Sequence, residues 1–170
     1  MAIFQENAGD APANISTTYV ISAGDDFEGS LTSADRDWIA IGVFTGYTYE
    51  FTVTGSGASP ISDTYLRLWA ADGTTLLGED DDSGPGLNSS LLYTATTTGL
   101  LFLSSGSFLD LFGGDYTLSA RLDFSGDDDV AGTPGNDIID LSIGDDRFKG
   151  PGGNDQIIGG EGNDTLLGGE

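Results

Sequence analysis

Residues 152–169 read GGNDQIIGGEGNDTLLGG, so Gly, Asn and Asp stand ahead of an aliphatic pair twice within eighteen residues. Written in nines, the chain from Gly126 onward becomes GDDDVA, GTPGNDIID, LSIGDDRFK, GPGGNDQII, GGEGNDTLL and GGE. Three columns then stay in phase: Asp128, Asp137, Asp146, Asp155 and Asp164; Gly126, Gly135, Gly144, Gly153 and Gly162; Val130, Ile139, Phe148, Ile157 and Leu166. A flexible Gly-rich tail has no reason to keep such a phase, whereas a stacked repeat does. Glycines at the head of each repeat let the backbone turn tightly and aim carbonyl oxygens inward. The Asp ends the turn with a hard carboxylate oxygen, and the next residues run as a very short strand. Turn plus strand takes nine residues, so two repeats make one coil of eighteen. Asp137 is then expected to stack on Asp155, and Asp146 to lie between Asp128 and Asp164. Stacked carboxylates repel one another unless a cation sits between them, and an oxygen-only ligand set favours Ca²⁺ over Zn²⁺ or Mg²⁺.

The sequences GGEGNDTLL and GPGGNDQII closely resemble the nonapeptide of RTX, or haemolysin-type, calcium-binding proteins, and the resemblance covers residues 126 to 170. It implies a parallel β-roll whose turns hold Ca²⁺ through Asp128, Asp137, Asp146, Asp155 and Asp164, with the turn glycines Gly132, Gly135, Gly144, Gly153, Gly160 and Gly162. It also implies type I secretion by a bacterium, read from a C-terminal signal. Two repeats depart from the pattern. Leu141 and Ser142 replace the glycine pair in one, and Pro151 enters the other; both turns are expected to bind more weakly.

Ahead of the repeats the grammar differs. In YTYEFTVT, Tyr47, Tyr49, Phe51 and Val53 alternate with Thr48, Glu50, Thr52 and Thr54, which puts one face on a core and the other in water. DWIAIGV, DTYLRLWA and GDYTLSARLD alternate likewise, and TYVIS, SLLYTA and GLLFLSS add shorter runs. Short strands at this spacing predict an antiparallel β-sandwich or jelly roll. The stretches DRDWIAIGVFTGYTYEFTVTG, SDTYLRLWAADGTTLLGEDDDSGPGLNSSLLYTATTTG and GDYTLSA together resemble the bacterial pre-peptidase C-terminal (PPC) domain, a non-catalytic sandwich that accompanies secreted peptidases and other exoenzymes. The expected organisation is an N-terminal extension over 1–16, a PPC-like sandwich over 17–124 and a truncated calcium-binding β-roll over 125–170, all-β throughout.

Composition narrows the function. The formal charge is −23, from 5 Lys+Arg against 28 Asp+Glu with no His. Nucleic acid and anionic membranes need clustered basic residues and are poor partners, while cations suit the surface. An apolar fraction of 38% is enough for one real core. No stretch reaches the ~18 apolar residues of a membrane span. The start, MAIFQENAGDAPANIS, lacks the basic and apolar regions of a signal peptide. Absence of Cys and His rules out disulfides, thiol catalysis, the Ser-His-Asp triad and the H-E-x-x-H zinc site; a glycosidase-type carboxylate pair stays chemically open, and the expectation is a non-enzyme.

Within the sandwich, GEDDDSGPGLNSS carries Asp80, Asp81 and Asp82 before a Gly-Pro-Gly turn, with Asn88 and Asp63 as further oxygen donors. Adjacent carboxylates are either solvated or metal-bound, and the sequence leaves both open. Trp38, Trp69, Tyr65 and Tyr49 are candidates for a sugar-stacking platform, against the commoner role of strand aromatics in cores and cross-strand pairs. Two functions follow. One is a calcium-binding accessory region of a secreted bacterial protein such as a metalloprotease. The other is the ligand-binding end of an RTX adhesin that captures carbohydrate or peptide. The final GGE, which opens another repeat, leads to the expectation that the parent protein continues.

Overall fold

The computed structural model describes residues 2–6 and 10–169. The chain divides into two compact units, Met1–Asp123 and Phe124–Glu170.

The first unit is a sandwich of two five-stranded sheets. One has the order β1 (Ile3–Gln5), β3 (Asp26–Leu31), β10 (Gly114–Leu122), β5 (Thr48–Gly55), β8 (Ser89–Thr94). The other runs β2 (Val20–Ile21), β4 (Asp37–Val43), β9 (Gly99–Ser107), β6 (Thr64–Trp69), β7 (Leu76–Asp80). Pairing is antiparallel except at one edge of each sheet, where β1 runs parallel to β3 and β2 parallel to β4. The alternation read from the sequence decides which side chains meet between the sheets. Tyr49, Phe51 and Val53 of β5 and Tyr116, Leu118 and Ala120 of β10 pack against Ile39, Ile41 and Val43 of β4 and Leu66 and Leu68 of β6. All of these are essentially removed from water, and each Val, Leu, Ile or Phe among them contributes ~1.5–3 kcal/mol by its burial.

Within the N-terminal stretch, Ile3–Gln5 adds an edge strand and Ala11 is buried. The outer face of β4 is also covered: Trp38, Ala40 and Phe102 are buried together, with Trp69 stacked on Trp38 at 5.5 Å between centroids. Trp38 and Tyr49 are therefore core residues, the commoner role of strand aromatics, and the sugar-stacking alternative keeps only the half-buried Trp69 and Tyr65. Tyr65 carries the Arg67 guanidinium 4.1 Å above its ring.

The second unit is a parallel roll of three-residue strands: β11 (Asp129–Ala131), β12 (Ile138–Asp140), β13 (Arg147–Lys149), β14 (Gln156–Ile158) and β15 (Thr165–Leu167). β11, β13 and β15 form one sheet, β12 and β14 the other. Val130 pairs with Phe148, Phe148 with Leu166 and Ile139 with Ile157, so the coil repeats every eighteen residues. Val130 and Phe148 are buried, Ile139 and Ile157 half-buried, and Leu166 is 42% exposed. Leu141, which reads in sequence only as a missing glycine, is fully buried and supplies a third apolar group.

Candidate metal centres

The repeat aspartates stand in two stacks. On one, the Asp128 N–H donates to Asp146 Oδ1 at 2.9 Å and the Asp146 N–H to Asp164 Oδ1 at 3.1 Å. On the other, the Asp137 N–H donates to Asp155 Oδ1 at 3.1 Å. The preceding position runs the opposite way: the N–H groups of Asp145, Asn154 and Asn163 donate to the side-chain oxygens of Asp127, Asn136 and Asp145 one coil earlier, at 2.8–2.9 Å. Each coil is thus tied to the next by reciprocal side-chain bonds just where the turn ends. One oxygen each of Asp146, Asp155 and Asp164 is spent on this ladder. Asp146 Oδ2 and Asp155 Oδ2 are buried with no hydrogen-bond partner. A buried carboxylate oxygen without a donor is costly, and a bound cation is the partner that this chemistry lacks.

The glycine column has a steric cause. A Cβ at Gly144, Gly153 or Gly162 would run into the carbonyl oxygen of Gly126, Gly135 or Gly144 one coil below, and all three have φ between +115° and +148°. Gly160 (φ +93°) sits on the Ser142 carbonyl in the same way, while a Cβ at Gly132 would press on Asp137 Oδ2 and Phe148. Backbone therefore approaches backbone in these turns, which leaves carbonyl oxygens beside the aspartates. The departing repeat keeps the turn geometry, since Ser142 adopts φ 67° where a glycine would normally stand. Asp137 differs from Asp146: its Oδ2 accepts the Thr133 N–H at 2.8 Å and its Oδ1 the Thr133 hydroxyl at 3.0 Å.

In the sandwich, the acidic loop sorts into two sets. Asp63, Asp81 and Asp82 bring carboxylate oxygens within 4.8 Å of one another. Burial, and then the charge of Asp82, raise the Asp63 carboxyl above its ordinary range. Asp81 is raised by burial and by Asp82, Asp63 and Asp80. Asp63 Oδ1 and Asp81 Oδ1 lack hydrogen-bond partners. Asp80 and Asn88, expected among the ligands, are held elsewhere. Asp80 Oδ2 accepts the N–H groups of Ser83 at 3.1 Å and Ser90 at 2.7 Å, closing the loop. Asn88 accepts the Gly55 N–H and donates to the Pro85 carbonyl. Sequence reasoning also missed a third acidic group, Glu6, Asp10 and Asp37, whose members come from distant segments.

The chain thus has an all-β sandwich and, after it in sequence, an eighteen-residue parallel roll with aspartates at its turns, and a family model matches the roll. The family model of the RTX calcium-binding nonapeptide repeat (four copies) matches residues 123–150 and 142–170. Residues 123–170 are RTX repeats, and calcium is the ion such repeats bind. No curated protein matches the chain. Among solved structures, the pre-peptidase C-terminal domain of a Bacillus anthracis collagenase is similar at 18% identity and a TM-score of 0.49, covering 68% of this chain and 100% of that one. Aeromonas hydrophila PliG, a periplasmic inhibitor of g-type lysozyme, is similar at 11% identity and a TM-score of 0.45, covering 62% and 98%.

Proposed function

We propose that this chain is a non-catalytic calcium-binding accessory region of a secreted bacterial exoenzyme, with a pre-folded sandwich as binding or spacer module and a roll that folds on meeting extracellular Ca²⁺. The observation that carries this reading is the two-stack ladder with its buried, partnerless Asp146 Oδ2 and Asp155 Oδ2. Residues 126–170 contain 11 acidic and 2 basic residues, so without cations the stacks repel. Fixing backbone costs ~1–2 kcal/mol per residue, which three buried apolar side chains do not offset. Ion binding to the folded form alone supplies the difference by mass action. Up to three ions would sit between Asp128 and Asp146, Asp146 and Asp164, and Asp137 and Asp155, with the glycine carbonyls completing each shell. A further ion would be held in the sandwich by Asp63, Asp81 and Asp82. Affinities of ~10⁻⁴–10⁻³ M, the range of extracellular calcium modules, keep the roll unfolded in a low-calcium cytoplasm and fold it after type I export.

The test is circular dichroism of the full chain during a Ca²⁺ titration, with EGTA as the starting state. β-structure is expected to rise on top of a constant sandwich signal, with a midpoint in that range. A spectrum unchanged up to ~10⁻² M Ca²⁺ refutes the reading. The adhesin alternative predicts instead glycan or peptide binding that is lost on Trp69→Ala.

A further inference from the structure

The loops after β3, β5, β7 and β9 leave the sandwich at the same end, because Leu31 pairs with Gly114, Gly55 with Tyr116, Asp80 with Leu66 and Ser107 with Thr64. The loop after β9 is unusual in two respects. It opens as a single turn of 3-10 helix, Phe108–Asp110, and leaves Leu109, Leu111 and Phe112 in water, 67%, 60% and 40% exposed. Leu109 (φ 54°) and Asp110 (φ 58°) are also consecutive left-handed residues. Such backbone is costly for a residue with a Cβ, and leucine has no polar side chain to offset the cost by a local hydrogen bond.

The loop before β4 holds this strained segment in place. The Asp110 carbonyl accepts the Ala34 N–H at 2.8 Å and the Ser33 hydroxyl at 3.4 Å, and the Asp110 carboxylate pairs with Arg36 at 2.6 Å. Ala34 is itself left-handed, at φ 67°. Further along, the Phe108 N–H donates to the Asp63 carbonyl at 3.2 Å and the Phe112 N–H to the Ser107 hydroxyl at 3.0 Å. The apolar side chains are therefore fixed in water by a scaffold that carries strain to keep them there. Strain of this kind persists where a binding surface is preorganised.

Charge selects the partner. The four loops contain Asp35, Asp63, Asp81, Asp82 and Asp110, and their one basic residue, Arg36, is already engaged by Asp110. A lipid surface would set these acids against its phosphates, whereas a basic polypeptide complements them. We propose that the loop after β9 is a docking knob for a cationic, apolar segment of another polypeptide. Leu109, Leu111 and Phe112 would seat among the apolar side chains of that segment, and the surrounding aspartates would face its basic ones.

The experiment is calorimetry of the full chain with a synthetic amphipathic peptide of Leu and Lys, beside a peptide of equal charge in which Ser replaces each Leu. The variants are Leu109→Ser combined with Leu111→Ser, Leu109→Gly alone, and Phe44→Ser as a control at the opposite end, where Phe44 is 63% exposed. The parent is expected to prefer the Leu/Lys peptide, and the double variant to bind it at least about tenfold more weakly with the same net charge. Phe44→Ser should bind as the parent does. Leu109→Gly is expected to raise the sandwich melting temperature, since glycine adopts this backbone without strain, and yet to weaken peptide binding. Equal affinity of the parent and the double variant overturns the proposal, because charge alone would then account for binding. So does a parent that binds both peptides equally, or one that sediments with phosphatidylcholine vesicles through Leu109 and Leu111. Both arms are run in Ca²⁺ and in EGTA, so the contrast between variants stands or falls separately from calcium binding by the repeats.

Discussion

The sandwich and the roll are both β-structures, but they close their hydrogen bonds with opposite resources. In the sandwich, strands of up to nine residues hide one face each, and eighteen buried apolar residues form a continuous core. In the roll every strand has three residues, and only Val130, Leu141 and Phe148 are buried apolar groups. What the roll has instead is a register fixed at eighteen residues and a line of aspartates tied coil to coil. The sandwich has a core of its own to rest on, whereas the roll, on the function proposed above, draws its stability from its ions. The comparison makes sharp demands of mutants, because damage to one unit should not appear in the other.

The largest effect is expected from Phe51→Ala. Phe51 is fully buried at the centre of β5, and its truncation leaves a cavity costing ~3–5 kcal/mol. The melting temperature of the sandwich should fall sharply, while the Ca²⁺ midpoint of the roll by circular dichroism stays where it was. A roll midpoint that moves with Phe51 would show that the two units are not energetically separate. Gly162→Ala reverses the test. Its added Cβ would overlap the Gly144 carbonyl at a backbone of φ +143°, a strain of ~1–3 kcal/mol. The expected result is a Ca²⁺ midpoint raised by about one order of magnitude, with an unaltered sandwich transition.

A finer comparison lies within the roll. Asp146 accepts the Asp128 N–H at Oδ1, donates its own N–H to Asp164, and keeps a buried partnerless Oδ2. Asp137 donates its N–H to Asp155, but its carboxylate is satisfied locally by Thr133. Asp146→Ala should therefore raise the Ca²⁺ midpoint more than Asp137→Ala and remove more bound ions. Equal losses would mean that the stacks do not share aspartates between neighbouring sites.

How much of this was legible in sequence follows from the range of the interactions. Alternation over Tyr49, Phe51 and Val53 is a local consequence of the pleat, and it named core residues correctly. The nonapeptide phase is likewise local, and it fixed the coil of eighteen. Long-range placement was not legible. Ile3–Gln5 is short and exposed, and nothing in those residues signals a parallel partner at Asp26–Glu28. Leu141 looked like a defect because a missing glycine is visible in sequence and a filled interior is not. The sorting of the loop acids was not legible for a related reason: side chains leave a turn in different directions, so Asp80 folds back on Ser83 and Ser90 while Asp81 and Asp82 lie close to Asp63. Glu6, Asp10 and Asp37 meet only because strands of two sheets bring them together.

The smallest expected effect tests whether the sandwich owes anything to its own carboxylates. Asp72 caps the turn between β6 and β7: Oδ1 accepts the N–H groups of Thr74 and Thr75, both at 2.8 Å, and Oδ2 accepts the Thr75 hydroxyl at 2.7 Å. These bonds, the Thr74 N–H first, hold its carboxyl down at about 2. A carboxyl lowered on folding contributes stability that is fully present above its unfolded value of ~3.9 and is lost as the pH falls through its folded value. Asp72→Ala should therefore lower the sandwich melting temperature slightly at pH 7, and the gap from the parent should close as the pH falls from ~4 towards ~2. The group is fully solvated, so salt should shrink the effect as well. Because Asp72 lies in a tight turn and outside every acidic cluster described, the gap should be the same in Ca²⁺ and in EGTA. A gap that appears only in Ca²⁺ would make this turn an ion site, and the sandwich would then depend on calcium in a place where its geometry gives it no need.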